Sequence, residues 1–209
     1  MKKASWVIIG LLSIIIGLYP VIYLFIDRKF GLLGTKSVEL LSNNVWNIMF
    51  YAHIFLGGLA LLIGWLQFSK KLRNKYMTLH RRIGETYIIS VLISGICGLY
   101  IAFFSTGGAT SVFGFGSLAL IWLISTFLAY KSIRNGKIRL HENLMIYSYA
   151  ACFAAVTLRI WLPLLTIVLN DFIFAYRIVA WLCWVPNLFV AYLIIKNKSQ
   201  LPTIYKNNA

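Results

Sequence analysis

Apolar residues in this chain gather into six runs, roughly 6–26, 46–68, 83–104, 111–130, 144–169 and 172–195. Each approaches the ~20 residues that a helix needs to cross the hydrocarbon of a bilayer. Backbone groups inside lipid must be satisfied within the protein, which a helix does by itself. The pattern therefore predicts an all-α integral membrane protein, a bundle of about six transmembrane helices. The first run follows Met1-Lys2-Lys3 and resembles a signal peptide, but it is too long for one and lacks a small-x-small cleavage site, so it reads as an uncleaved first helix. Only Asn170-Asp171 separates the fifth run from the sixth. A tight turn is expected there, with Pro163 redirecting the fifth helix near the surface.

Runs and connections together use up residues 1–209 as one polytopic membrane domain, leaving no room for a soluble one. Composition agrees: 60% of residues are hydrophobic, 12% are charged, and the mean hydropathy is +0.80, against roughly a quarter charged in soluble domains. A net charge of +15 raises nucleic acid as a partner, but the basic residues sit in short loops rather than interleaved with aromatics along a groove. Lipid is the partner this placement implies, and nucleic acid is not. Fifteen Lys and Arg fall at the chain ends and in the loops around 70–82 and 131–142, against Arg28, Lys29 and Lys36 on the other side, with Arg159 and Arg177 inside runs. Basic residues are retained on the cytoplasmic side. The expected location is a bacterial-type plasma membrane, with both termini cytoplasmic and 27–45 external.

Glycines recur within the runs, among them Gly17, Gly57, Gly58, Gly64, Gly98 and Gly114. Small residues allow close helix contact in lipid, so bundle packing is their expected role. Cys97, Cys152 and Cys183 match no metal-ligand spacing and read as small core residues. The stretch from Lys70 to His80 aligns without gaps with that from Lys131 to His141, sharing Lys, Arg, Asn, Leu and His positions. Both join a helix arriving at the basic side to one leaving it, which fits either a parallel duplication of helical hairpins or convergence of two basic loops.

Few residues in the runs could carry chemistry. His80 and His141 stand at the starts of the third and fifth helices; paired imidazoles ligate metals or the iron of a b-type haem, and both are equally suited to lie beside lipid headgroups. Glu85 and Glu142, nearby, could orient such rings or form interfacial salt bridges. His53 lies about 10 Å and Arg159 about 15 Å below the opposite surface by the helical rise. An arginine at that depth must face the bundle interior, water or a counter-charge. Arg159 and His53 are thus candidates for binding an anion or a quinone oxygen, or for joining helices. Asp171 is expected to pair with Arg177. No phosphate loop, His-Glu-x-x-His, Gly-x-Ser-x-Gly or intramembrane aspartate pair occurs.

Leu79-His80-Arg81-Arg82-Ile83-Gly84-Glu85-Thr86-Tyr87 and Thr157-Leu158-Arg159-Ile160-Trp161-Leu162-Pro163, with Ala52-His53 and the helix start at His141, resemble a family of bacterial predicted membrane proteins, domain of unknown function 2306. The resemblance covers about 50–195 and implies membrane residence without assigning an activity. It highlights His53, His80, His141 and Arg159. Glu142 stands where the family leads one to expect a basic residue. Three classes of function follow: a haem- or quinone-linked redox protein, a small-solute or lipid-handling transporter, and a non-catalytic partner of another membrane protein. Three histidines are too few for two bis-histidine haems, and against transport the sequence shows neither broken helices nor an inverted repeat.

Overall fold

The computed structural model describes residues 3–25 and 31–200, so Lys2, Arg28, Lys29, Lys206 and both chain ends lie outside the described residues. Regular structure in them is helical throughout. The chain runs through α1 (Lys3–Leu18), continued as a 3-10 turn over Tyr19–Leu24, then α2 (Val38–Ser42) and α3 (Asn44–Gly64). Next come α4 (Lys70–Lys75), α5 (Met77–Ala102), α6 (Ala109–Arg134) and α7 (Ile138–Cys152), followed by α8 (Ala154–Leu169), α9 (Phe172–Leu182) and α10 (Val185–Gln200). Six stretches are long and apolar enough to span a membrane: Ser5–Leu24, Asn44–Phe68, Met77–Ala102, Ala109–Arg134, Ile138–Leu169 and Phe172–Lys198. The third and fifth begin six residues earlier than their apolar runs, because a helix continues into the interface where Lys and Arg stems lie along it.

The α3–α5 and α6–α7 hairpins pack side by side, α1 lies on α3, and α8 and α9 pair with each other while α9 rests on α6. Glycine sets the closest approaches. A Cβ at Gly58 would stand 2.6 Å from the carbonyl oxygen of Gly17, and one at Gly114 would stand 2.8 Å from that of Ala180, so α1 meets α3, and α6 meets α9, backbone against backbone. Gly64 leaves room for the rings of Tyr149 and Tyr87. Tyr87, Leu61, Val91 and Val156 are fully buried among them. Buried hydroxyls pair across helices: Tyr87 with Ser148 at 2.8 Å, Ser148 with Thr126 at 2.6 Å, and Ser13 with Tyr149 at 2.7 Å. On the outside, Ile167, Val168 and Phe113 are more than two-thirds exposed, the surface that lipid solvates without cost.

Two spans are broken, contrary to the sequence expectation. The fifth is interrupted at Phe153 between α7 and α8, and the sixth at Cys183-Trp184 between α9 and α10. Pro163 does not end the fifth span. It sits inside α8, which runs on to Leu169 and ends at Asn170 in the left-handed region (φ 49°), since lipid-embedded helices tolerate proline when its freed carbonyl finds other partners. Polar side chains join the two breaks. The Thr157 hydroxyl donates to the Cys183 carbonyl at 2.5 Å, and the Asn187 amide donates to the carbonyls of Cys183 (2.9 Å) and Ala150 (3.3 Å) and to Thr157 Oγ1 (3.1 Å). Trp184 Nε1 donates to the Ala180 carbonyl at 2.8 Å.

Candidate functional site

One end of the bundle carries the basic turns at 69–76 and 135–137; the other carries residues 31–43, 103–108 and 170–171. Between α1, α3, α5 and α8, toward that second end, lies a cavity of about 240 Å³ bordered by His53, Arg159 and Lys36. Its walls are mainly apolar and aromatic, with Trp46, Phe50 and Trp122 among them.

His53 comes from α3, whose first turn is fixed by Asn43 Oδ1 accepting from the Trp46 amide at 3.0 Å. The ring is held from α5: Nδ1 lies 2.9 Å from the Ser94 carbonyl, and the Ser94 hydroxyl donates to the His53 carbonyl at 2.8 Å. A carbonyl only accepts, so Nδ1 carries the proton and neutral His53 presents the lone pair of Nε2. A Cβ at position 98 would fall 2.7 Å from Nδ1. Glycine there is what makes room for the imidazole.

Arg159 projects from α8. Its Nη1 donates to the Ala155 carbonyl at 2.9 Å, its guanidinium lies 4.4 Å from the centre of the Tyr19 ring, and Nε is buried without an acceptor. Among the described residues no carboxylate pairs with it; the ion pairs there are those of Glu142. Among the described residues its charge is met by a carbonyl and an aromatic face alone. Lys36 reaches the cavity from the 31–43 segment at the same end of the bundle and donates to the Phe104 carbonyl at 2.6 Å and to Thr106 Oγ1 at 3.0 Å. Burial pushes its ammonium down to about 8.

A family model described as "Predicted membrane protein (DUF2306)" matches residues 50–195, well over half of the chain. The chain belongs to the DUF2306 family. No curated protein and no solved structure matches it. Within this DUF2306 chain the matched residues contain His53 and Arg159, whereas Tyr19 and Lys36 precede them.

The remaining candidates of the DUF2306 segment lie at the basic end, away from the cavity. His80 and His141 are each the fourth residue of their helix, α5 and α7. Charges on His141, Arg73 and Arg81 bear on His80, so the two rings share one neighbourhood. His141 Nδ1 donates to the Ala129 carbonyl of α6 at 2.9 Å, while His80 Nδ1 is buried without a partner. No group of three or more His, Cys, Asp or Glu side chains that could hold a metal occurs among the described residues. Glu142 is taken up by Arg73 at 2.6 Å and by Lys198, and Glu85 is exposed. Neither carboxylate is seen on an imidazole. Asp171 caps α9 by accepting from the Phe174 amide at 3.0 Å, and Arg177 donates to the Gly107 carbonyl at 2.7 Å, so the expected pair between them does not form. A helix N-terminus offers the carboxylate a nearer donor.

Sequence reasoning missed Lys36 and Tyr19 as parts of the site. Both meet it through contacts some 70 to 140 residues distant in the chain, for which no local pattern exists. Cys152 borders the same cavity as a buried free thiol.

Proposed function

We propose that the protein binds a small amphiphile with an oxygen-bearing, negatively charged head in this cavity, and so handles a lipid-like solute in the membrane. The observation carrying the reading is Arg159: a charge that no described carboxylate meets, on the wall of an otherwise apolar chamber with His53 and Lys36 beside it. An unpaired buried charge costs several kcal/mol, and an anion from outside the chain offsets that cost through charge-assisted hydrogen bonds. The volume of 240 Å³ sits at the small end of ligand pockets, ~300–1,000 Å³, with room for about eight water-sized groups. A short acyl chain or a single ring fits; a haem does not. The fifteen-to-three distribution of basic residues in the loops supports placing the basic end in the cytoplasm, and the cavity then lies toward the outer leaflet.

The aromatic walls favour a second reading, the head ring of a quinone, with Arg159 donating to a ring oxygen. Binding in nanodiscs separates the two readings. Tryptophan fluorescence is followed while either an eight-carbon carboxylate or a short-chain quinone is added. Saturable quenching or shift by the carboxylate, weakened at least tenfold in Arg159→Gln with the fold intact by circular dichroism, is the expected result. Saturable binding of the quinone alone transfers the site to redox chemistry. If Arg159→Gln binds as well as the native chain, the reading fails.

A further inference from the structure

The donors and acceptors facing the cavity narrow the ligand beyond its charge. We infer that it is a carboxylic acid that arrives protonated and passes its proton to Nε2 of His53, an inference that rests on the cavity being the ligand site. With Nδ1 committed to the Ser94 carbonyl and the ring pinned by the glycine at 98, neutral His53 offers the cavity one fixed acceptor. Arg159 offers only donors: Nη1 is engaged by the Ala155 carbonyl, and Nη2 has no protein acceptor among the described residues. A protonated carboxyl group carries one O–H donor and one carbonyl acceptor on the same carbon, the complement of this pair. A quinone ring has acceptors only. A phosphate monoester is already ionised at neutral pH and brings more charge into an apolar chamber than Arg159 offsets.

In the bound state the acid O–H bond breaks and an N–H bond forms on His53, giving a carboxylate between an imidazolium and the guanidinium. No electron moves, and the ligand enters as a neutral molecule, so no net charge is carried into the membrane interior. The other ionisable groups bordering the cavity are Lys36, Tyr23, Tyr176 and Cys152. Lys36 is a cation already hydrogen-bonded to Phe104 and Thr106, and the phenols and thiol are neutral at pH 7 by their ordinary range. His53, with Nδ1 committed to the Ser94 carbonyl, is thus the group on this wall with a ring nitrogen left to accept the ligand's proton. The cytoplasmic histidines lie outside the chamber.

Proton linkage reads this directly. Above the acid's own pKa, about 4–5 for a carboxyl group, free ligand is the anion, and forming the complex draws one proton from solution. Titration calorimetry of octanoate into the full chain in nanodiscs, at pH 7 in two buffers of different ionisation enthalpy, gives the number of protons taken up. The expected value is close to one. His53→Asn keeps an amide donor for the Ser94 carbonyl but has no titratable nitrogen, and in it the uptake is expected to fall to zero while residual binding persists through Arg159. Octanoate binding with no proton uptake in the native chain overturns this inference and leaves the cavity reading standing. Uptake that survives in His53→Asn overturns the assignment to His53. Failure of octanoate to bind while a quinone analogue binds overturns both the acid and the anion, and failure of every amphiphile overturns the site itself.

Discussion

Lys36 shows how a single side chain records the environment of the site. Its ammonium is held down to about 8 by burial, from the usual 10.5, so the folded protein releases this proton at lower pH than the unfolded chain does. The unfolded state therefore binds more protons between about pH 8 and 10.5, and stability contributed by this residue rises with pH across that window. Below pH 8 the burial of its charge is a standing cost. Lys36→Met removes the linkage: the melting temperature of the native protein in detergent is expected to climb relative to the variant from pH 8 to 10, and parallel curves would contradict the burial of the amine. Nothing in the sequence around Gly34-Thr35-Lys36-Ser37 distinguishes this lysine from the solvated ones. His53 and Arg159 were legible for the opposite reason, because a polar residue inside an apolar run must find an internal partner. What they face was not legible, since Tyr19 and Ser94 approach only in the folded bundle.

The helices teach a different lesson about legibility. Apolar runs located all six spans, because the length of hydrocarbon to be crossed sets a minimum that composition reveals. Helix ends were misplaced wherever the helix continued past the apolar region, as at Met77 and Ile138. The interruption at Phe153 has no local signal, whereas Pro186 two residues after Trp184 marks the other, where a missing amide leaves a helix unable to close its ladder. Asn187 compensates at both places, donating to one carbonyl on each broken span and to Thr157. Asn187→Leu is expected to lower stability by about 1–2 kcal/mol, given roughly 0.6 kcal/mol per buried interhelical hydrogen bond in membranes and up to ~1.7. Unfolding in mixed micelles measures it, and an unchanged midpoint would mean that the breaks are satisfied without the amide. The adjoining α8–α9 hairpin presents much of its surface outward, with Ile167 and Val168 at 79% and 76% exposure. That hairpin carries Arg159.

At the scale of the whole molecule, charge and packing make separate demands on the same chain. Basic residues collect at one end, and the carboxylate of Glu142 ties α4 to α10 there through Arg73 and Lys198. We propose that this end faces the cytoplasm, where the remaining cations would be retained. In a cysteine-free background, a cysteine at exposed position 39 is expected to react with an impermeant maleimide in intact cells and one at position 75 only after lysis; the reverse pattern would invert the molecule and place the cavity toward the cytoplasm.

The contact between Arg159 and Tyr19 also has a history in time. Chains enter the membrane from the N-terminus during synthesis, so the ring of Tyr19 is already lodged in the bilayer when the fifth span emerges some 140 residues later. The arginine that would be most costly to hand over to lipid thus meets, on arrival, a waiting aromatic face. Insertion of residues 144–169 is expected to be less efficient behind an unrelated leader span than behind this protein's own first two, scored by a glycosylation tag placed after the segment; equal efficiency would mean that the partner is met only after assembly. On this account the first span, outside the family's matched residues, acts as a chaperone built into the polypeptide, fixed in the bilayer before the residue it serves has been translated.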